Sequence, residues 1–160
     1  MATYHIHIEG YWLDHNKSGL PDYSGIYFVF RCVYNSNANT ADIKQLLYIG
    51  QTGQPGGIRN RLVNHEKYEE FQNACKENEL VCYATSEVPV DDLDIIENAL
   101  IYAEQPPINE ELKDHFKYDE STTIKTSGYN SGLENKWFVI INDEVATISV
   151  VEEDENNRQF

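Results

Sequence analysis

Positive charge is what this chain most lacks. Lys and Arg together number 12 against 27 Asp and Glu, which leaves a formal net charge of −15. A surface of that sign repels polyanions at long range and slows their encounter. Nucleic-acid binders are commonly basic, because phosphate contacts drive their binding through counterion release. The deficit is uneven, however. Lys44, Arg59, Arg61 and Lys67 fall close together, while the densest acid, Glu152-Glu153-Asp154-Glu155, lies near the end of the chain.

Other absences narrow the field further. No run approaches the roughly 18 apolar residues that span a bilayer, so no membrane partner is expected. The opening residues, MATYHIHIEGYW, lack the basic start, apolar stretch and small-residue cleavage site of a signal peptide. A soluble, cytoplasmic chain is the expectation. The three cysteines, Cys32, Cys75 and Cys82, form no CxxC pair and no Cys/His tetrad. An odd set at such spacings argues against a disulfide framework or a structural zinc, and for reduced thiols. No repeat, low-complexity linker, helix-turn-helix or zinc finger is visible. The 160 residues fit a single domain, 1–160.

The remaining pattern is rich in strand formers. Residues 4–8 alternate and predict a strand, followed by a polar loop to Pro21. Residues 25–34 (GIYFVFRCVY) and 45–51 (QLLYIGQ) read as two strands joined across the turn-like NSNANT, the simplest arrangement being an antiparallel hairpin. After the helix-breaking GQPGG, a helix should begin near Ile58, with a second helical stretch over 66–78. Residues 80–86 predict a third strand. Asp91 or Asp92 is placed to cap a helix ending before Pro106-Pro107. Residues 122–126, 137–142 and 145–151 read as further strands, the last two joined by Asn142-Asp143-Glu144. Residues after Glu152 are expected to fray. The fold class expected is α+β: a small central β-sheet, made of the hairpin and a third strand, flanked by helices, with a C-terminal β-rich extension.

Some side chains invite chemistry. On the helix after Asp92, Leu93, Ile96, Leu100 and Ile101 recur at helical spacing, and Glu97 falls inside that stripe. An ionised carboxylate on an inward face requires a cation or donors; the plainer alternative is a stripe-edge Glu paired with an Arg. Arg61 and His65 stand one turn apart if helical, and a forked guanidinium beside an imidazole suits a phosphate. Taken alone, a basic face pairing with Glu66 or Glu69 is the simpler reading. Tyr27 and Tyr48 sit beside glycines in Gly25-Ile26-Tyr27 and Tyr48-Ile49-Gly50, and either could be an ordinary strand aromatic. His5 and His7 share one strand face; an edge strand explains them better than a metal site. The loop 127–132 reads as a surface turn.

Together these residues resemble the signature of the GIY-YIG nuclease superfamily. The tripeptides Gly25-Ile26-Tyr27 and Tyr48-Ile49-Gly50 are followed in the family's order by Arg61, His65, Glu97 and Asn109. The stretches IENALI and QPPIN match its metal-ligand helix and closing Asn. The resemblance covers residues 24–110 and leaves 111–160 as an unassigned extension. It implies a metal-dependent endonuclease hydrolysing phosphodiester bonds in DNA, or else RNA, at one active site. Glu97 would hold a divalent cation, Mg²⁺ or Mn²⁺, with water and phosphate completing the shell. Tyr27 would activate the attacking group with help from His65, Arg61 would hold the scissile phosphate, Tyr48 would contact phosphate or order water, and Asn109 would brace the site. Sequence-specific cutting would call for a homodimer, a protein partner or the C-terminal β-rich extension. The acidic balance suggests two alternatives: a catalytically retired fold serving as a protein-binding or regulatory module, or a nuclease restrained by its acidic tail.

Overall fold

The computed structural model describes residues 1–149. Its centre is one sheet of seven strands, in the order β3-β2-β4-β1-β5-β6-β7. These are β1 (Ala2–Leu13), β2 (Gly25–Asn35), β3 (Thr40–Thr52), β4 (Leu80–Glu87), β5 (Thr122–Gly128), β6 (Trp137–Ile141) and β7 (Glu144–Thr147). The helices are short: α1 (Gly57–Val63), α2 (Tyr68–Ala74) and α3 (Leu93–Glu104), with 3-10 turns over Asp14–Gly19 and Val90–Asp92. Among the described residues none is long and apolar enough to cross a membrane.

The expected small central sheet flanked by helices is corrected here. The sheet is mixed and curls into a half-barrel, and strand outweighs helix, 40% to 23%. The cause lies in β1, which runs well past the expected residues 4–8. A register shift between Gly10 and Trp12 interrupts its alternation, so the second half does not read as strand. β1 pairs antiparallel with β4 on one side and parallel with β5 on the other, from Ala2↔Thr122 to Ile8↔Gly128. The strands expected as an extension therefore continue the same sheet. His5 and His7 lie inside that sheet, not on the edge strand expected for them. His7 Nδ1 is 2.9 Å from Ser127 Oγ.

Bulges bend the sheet and the side chains on its two faces fill the curve. β2 shifts register against β3 after Val29 and again after Arg31, which adds twist. One face buries Ile6, Ile8, Phe28, Phe30, Ile124 and Phe138 against Leu93, Ile96 and Leu100 of α3. The other buries Tyr27, Val29 and Tyr83 against Ile58 and Leu62 of α1 and Phe71 of α2. The β2–β3 hairpin is therefore packed on both sides, and the tyrosine of each tripeptide points to the α1–α2 face. Asn142 and Asp143, both at positive φ, make the tight turn between β6 and β7. The cysteines Cys32, Cys75 and Cys82 are free thiols. Strand residues expected beyond 149, the fraying end and the acidic run 152–155 lie outside the described residues.

Candidate active site

A cleft of about 300 Å³ opens at the β3 edge of the sheet, where α3 meets the turn between α1 and α2. Tyr48, Glu66, Lys67, Glu97 and Asn109 line it. Tyr27 and His65 stand behind Tyr48: the rings of Tyr27 and Tyr48 stack at 6.3 Å, and His65 meets Tyr48 edge-on at 5.3 Å. The charges of Arg61 and Glu97 both act on Tyr27 and on Tyr48. The residues singled out from the sequence thus converge on one locality.

Local structure explains each position. Tyr27 and Gly50 face each other across the hairpin. Gly25 is crowded from β4, since a Cβ there would stand 2.0 Å from the Ser86 carbonyl oxygen. Asn109 reaches the outer edge of β3 and mimics a neighbouring strand. Its Oδ1 accepts the Ile49 N–H and its Nδ2 donates to the Ile49 carbonyl, both at 2.9 Å. Beside it the Ile108 N–H donates to Leu47 O at 3.0 Å.

Arg61 and His65 do not share a helical face. α1 ends at Val63, and Asn64 turns the chain away from helical geometry. His65 lies in the turn leading to α2, which brings the Lys67 backbone N–H to its Nδ1 at 3.0 Å. An acceptor at Nδ1 places the neutral ring's proton on Nε2, so Nε2 donates to Tyr27 Oη 2.9 Å away. Burial and the Arg61 charge push the His65 pKa down to about 4, so the ring is neutral near pH 7. The nitrogen facing Tyr27 already carries a proton, so the help expected from His65 takes the form of a hydrogen bond donated to Tyr27.

Tyr27 is fully buried, and burial raises its pKa while Arg61 opposes the rise. Tyr48 is raised by burial and by Glu97. Both are therefore phenols in this state. Arg61 is engaged by Glu66: Nη1 and Nη2 donate to the two carboxylate oxygens at 2.6 and 2.8 Å. The simpler of the two readings of Arg61 thus describes the resting geometry, while the guanidinium stays near the tyrosines.

Glu97 has no cationic contact within ion-pair distance among the described residues. Its one hydrogen bond comes from Gln51 Nε2 at 3.2 Å, and the same amide nitrogen donates to Asp94 Oδ1 at 2.6 Å. Burial, with the neighbouring charges of Asp94 and Glu111, lifts its pKa to about 7 despite the Gln51 donor. A half-buried carboxylate that faces the cleft with no cation within ion-pair distance among the described residues fits a bound metal ion. Among the described residues no group of three or more His, Cys, Asp or Glu side chains is arranged to hold a metal. A cation here would therefore rest on Glu97 and on water or substrate oxygens, a ligand set that suits Mg²⁺.

Several contributors escape a reading of the sequence. Gln51 directly follows Gly50 and holds the two acids of α3, but nothing in its local pattern marks it. Asn98 is buried on α3, donates to the carbonyls of Leu112 and His115, and accepts the Lys117 N–H at 2.9 Å. It fixes the loop carrying Glu111 beside Glu97. A polar residue on the inward face of the helix was its available signal. The expected cap is absent, for Asp92 makes no side-chain bond to the start of α3.

No protein-family model, curated protein or solved structure matches this chain.

Proposed function

We propose that the chain is a metal-dependent phosphodiesterase of the GIY-YIG type, acting as an endonuclease on DNA or, alternatively, RNA at the cleft between β3 and α3. The observation that carries this reading is the convergence of Tyr27, Tyr48, Arg61, His65 and Glu97, with Glu97 left as a desolvated carboxylate that forms no ion pair among the described residues. Natural interiors seldom retain such a group without a use for it.

The division of labour follows from the contacts. Arg61 would bind two oxygens of the scissile phosphate and offset the charge that grows on them; one such donor is typically worth about 2.7–4 kcal/mol of barrier. His65 holds Tyr27 by donating Nε2–H, which favours the phenolate whenever Tyr27 loses its proton. Tyr27 would first lose its proton to solvent, a loss the Arg61 charge favours, and the phenolate would then take the proton of the attacking water as the bond to phosphorus forms. Tyr48 would donate to a phosphate oxygen or order that water. Asn109 keeps the Tyr48 strand in place. Glu97 would hold Mg²⁺ or Mn²⁺, which supplies Lewis-acid stabilisation of the leaving oxygen.

The net charge of −15 and the carboxylate already on Arg61 favour a second reading, a retired nuclease fold that binds a basic protein. On the first reading a homodimer or protein partner supplies specificity. The acidic tail, 152–155, lies outside the described residues; if it restrains the site, deleting the residues after Val151 raises cleavage, and unchanged rates in a folded protein remove that reading. Incubation with duplex, branched and single-stranded nucleic acids at low salt, with Mn²⁺ or with chelator, separates the two main readings. Metal-dependent products support the nuclease; their absence from a folded protein on every substrate supports the binding module.

A further inference from the structure

The resting site holds an anion of its own. Two oxygens of Glu66 occupy the two outward nitrogens of Arg61 at 2.6 and 2.8 Å, the forked contact that a phosphate group would make. Glu66 also lines the cleft. It sits in the turn between α1 and α2, beside His65, and its side chain is 63% exposed, so it can swing into water without unpacking anything. The other cation at the cleft is similarly engaged, with Lys67 Nζ 3.7 Å from Glu110 and 3.8 Å from Glu70.

We infer that Glu66 is a built-in competitor for the phosphate fork, which any anion must displace from Arg61 before it can bind there. This rests on the reading of Arg61 as the phosphate ligand. An ordinary exposed ion pair contributes little and would have no bearing on anion affinity. This pair differs in being two-pronged and in engaging the guanidinium whose charge acts on both tyrosines. A lone oxyanion exchanges one carboxylate for a similar ligand and gains little. A nucleic-acid strand adds contacts beyond the fork and can displace Glu66 at net gain.

The test uses inorganic phosphate and a short fluorescently labelled single-stranded oligonucleotide, both in chelator so that no cleavage occurs. The proteins are wild type, Glu66→Gln, Arg61→Ala, the double variant, and Glu69→Gln. The last removes the same charge from a neighbouring exposed site that does not touch Arg61. Thermal melting confirms that each variant is folded. Glu66→Gln is expected to bind both probes on the order of tenfold tighter than Glu69→Gln, and the double variant to lose that gain. Equal affinities for Glu66→Gln and Glu69→Gln, with wild-type binding still dependent on Arg61, overturn the inference and leave the phosphate role of Arg61 intact. A gain that survives in the double variant overturns it too. Binding that never depends on Arg61 in any variant overturns both.

Discussion

The ring of Tyr27 lies across Gly50, its direct partner on the neighbouring strand, so closely that a Cβ on Gly50 would stand 2.3 Å from the Tyr27 hydroxyl oxygen. The absence of a side chain in the second tripeptide is thus what admits the tyrosine of the first. Gly50→Ala should expel the ring, break the Tyr27–His65 bond and cost about 1–3 kcal/mol, as overpacked cores do. Chemical denaturation measures the cost. A stable variant with an unmoved His65 resonance would contradict this account of Gly50.

His65 should behave as a fixed neutral donor. Its pKa falls from an ordinary 6.5 to about 4, so the unfolded chain binds the proton more readily than the folded one. The stability this confers is complete above 6.5 and is lost as pH falls from there toward 4. Nitrogen-15 NMR should find the proton on Nε2 throughout pH 6–8. A ring that titrates between 6 and 7, or one protonated at Nδ1, would refute the assignment.

Glu97 should be a liability to the fold. Raised from 4.5 to about 7, it stays protonated in the folded chain where the unfolded chain ionises. Its stabilising effect is present below 4.5 and is lost as pH rises toward 7. Glu97→Gln should melt with the wild type near pH 4.5 and be more stable by about 1–2 kcal/mol at pH 8, after allowance for solvent screening. A variant less stable than wild type at pH 8 would mean that the carboxylate serves the fold.

Asn109 replaces a strand at the edge of β3. Asn109→Ala leaves the Ile49 N–H and carbonyl without partners, at a cost of about 2–4 kcal/mol. Hydrogen exchange should accelerate at Ile49 before it does so in β4. Uniform exchange across the sheet would indicate a purely global role.

The residues that line and back the candidate cleft were easier to single out from the sequence than the fold was. They are announced by local patterns: two tripeptides, an acid within the apolar stripe of α3, and an Asn after paired prolines. The full length and pairing of strand β1 were not, because Gly10 and the register shift beside it hide its second half, and because parallel pairing to β5 joins residues over a hundred positions apart. His65 was misplaced onto a helix for a similar reason, since four-residue spacing cannot reveal that α1 stops at Val63. Gln51 and Asn98 act through contacts with distant segments and carry no local mark of it.

The most direct test of the central claim is the single-turnover cleavage rate of wild type and Glu97→Gln at saturating Mn²⁺ and low salt, on whichever nucleic acid the wild type cuts. The account predicts metal-dependent cleavage that falls by about a thousandfold or more in a variant that is at least as stable as the wild type. Cleavage that survives the substitution, or a folded wild type that cuts nothing, would contradict it.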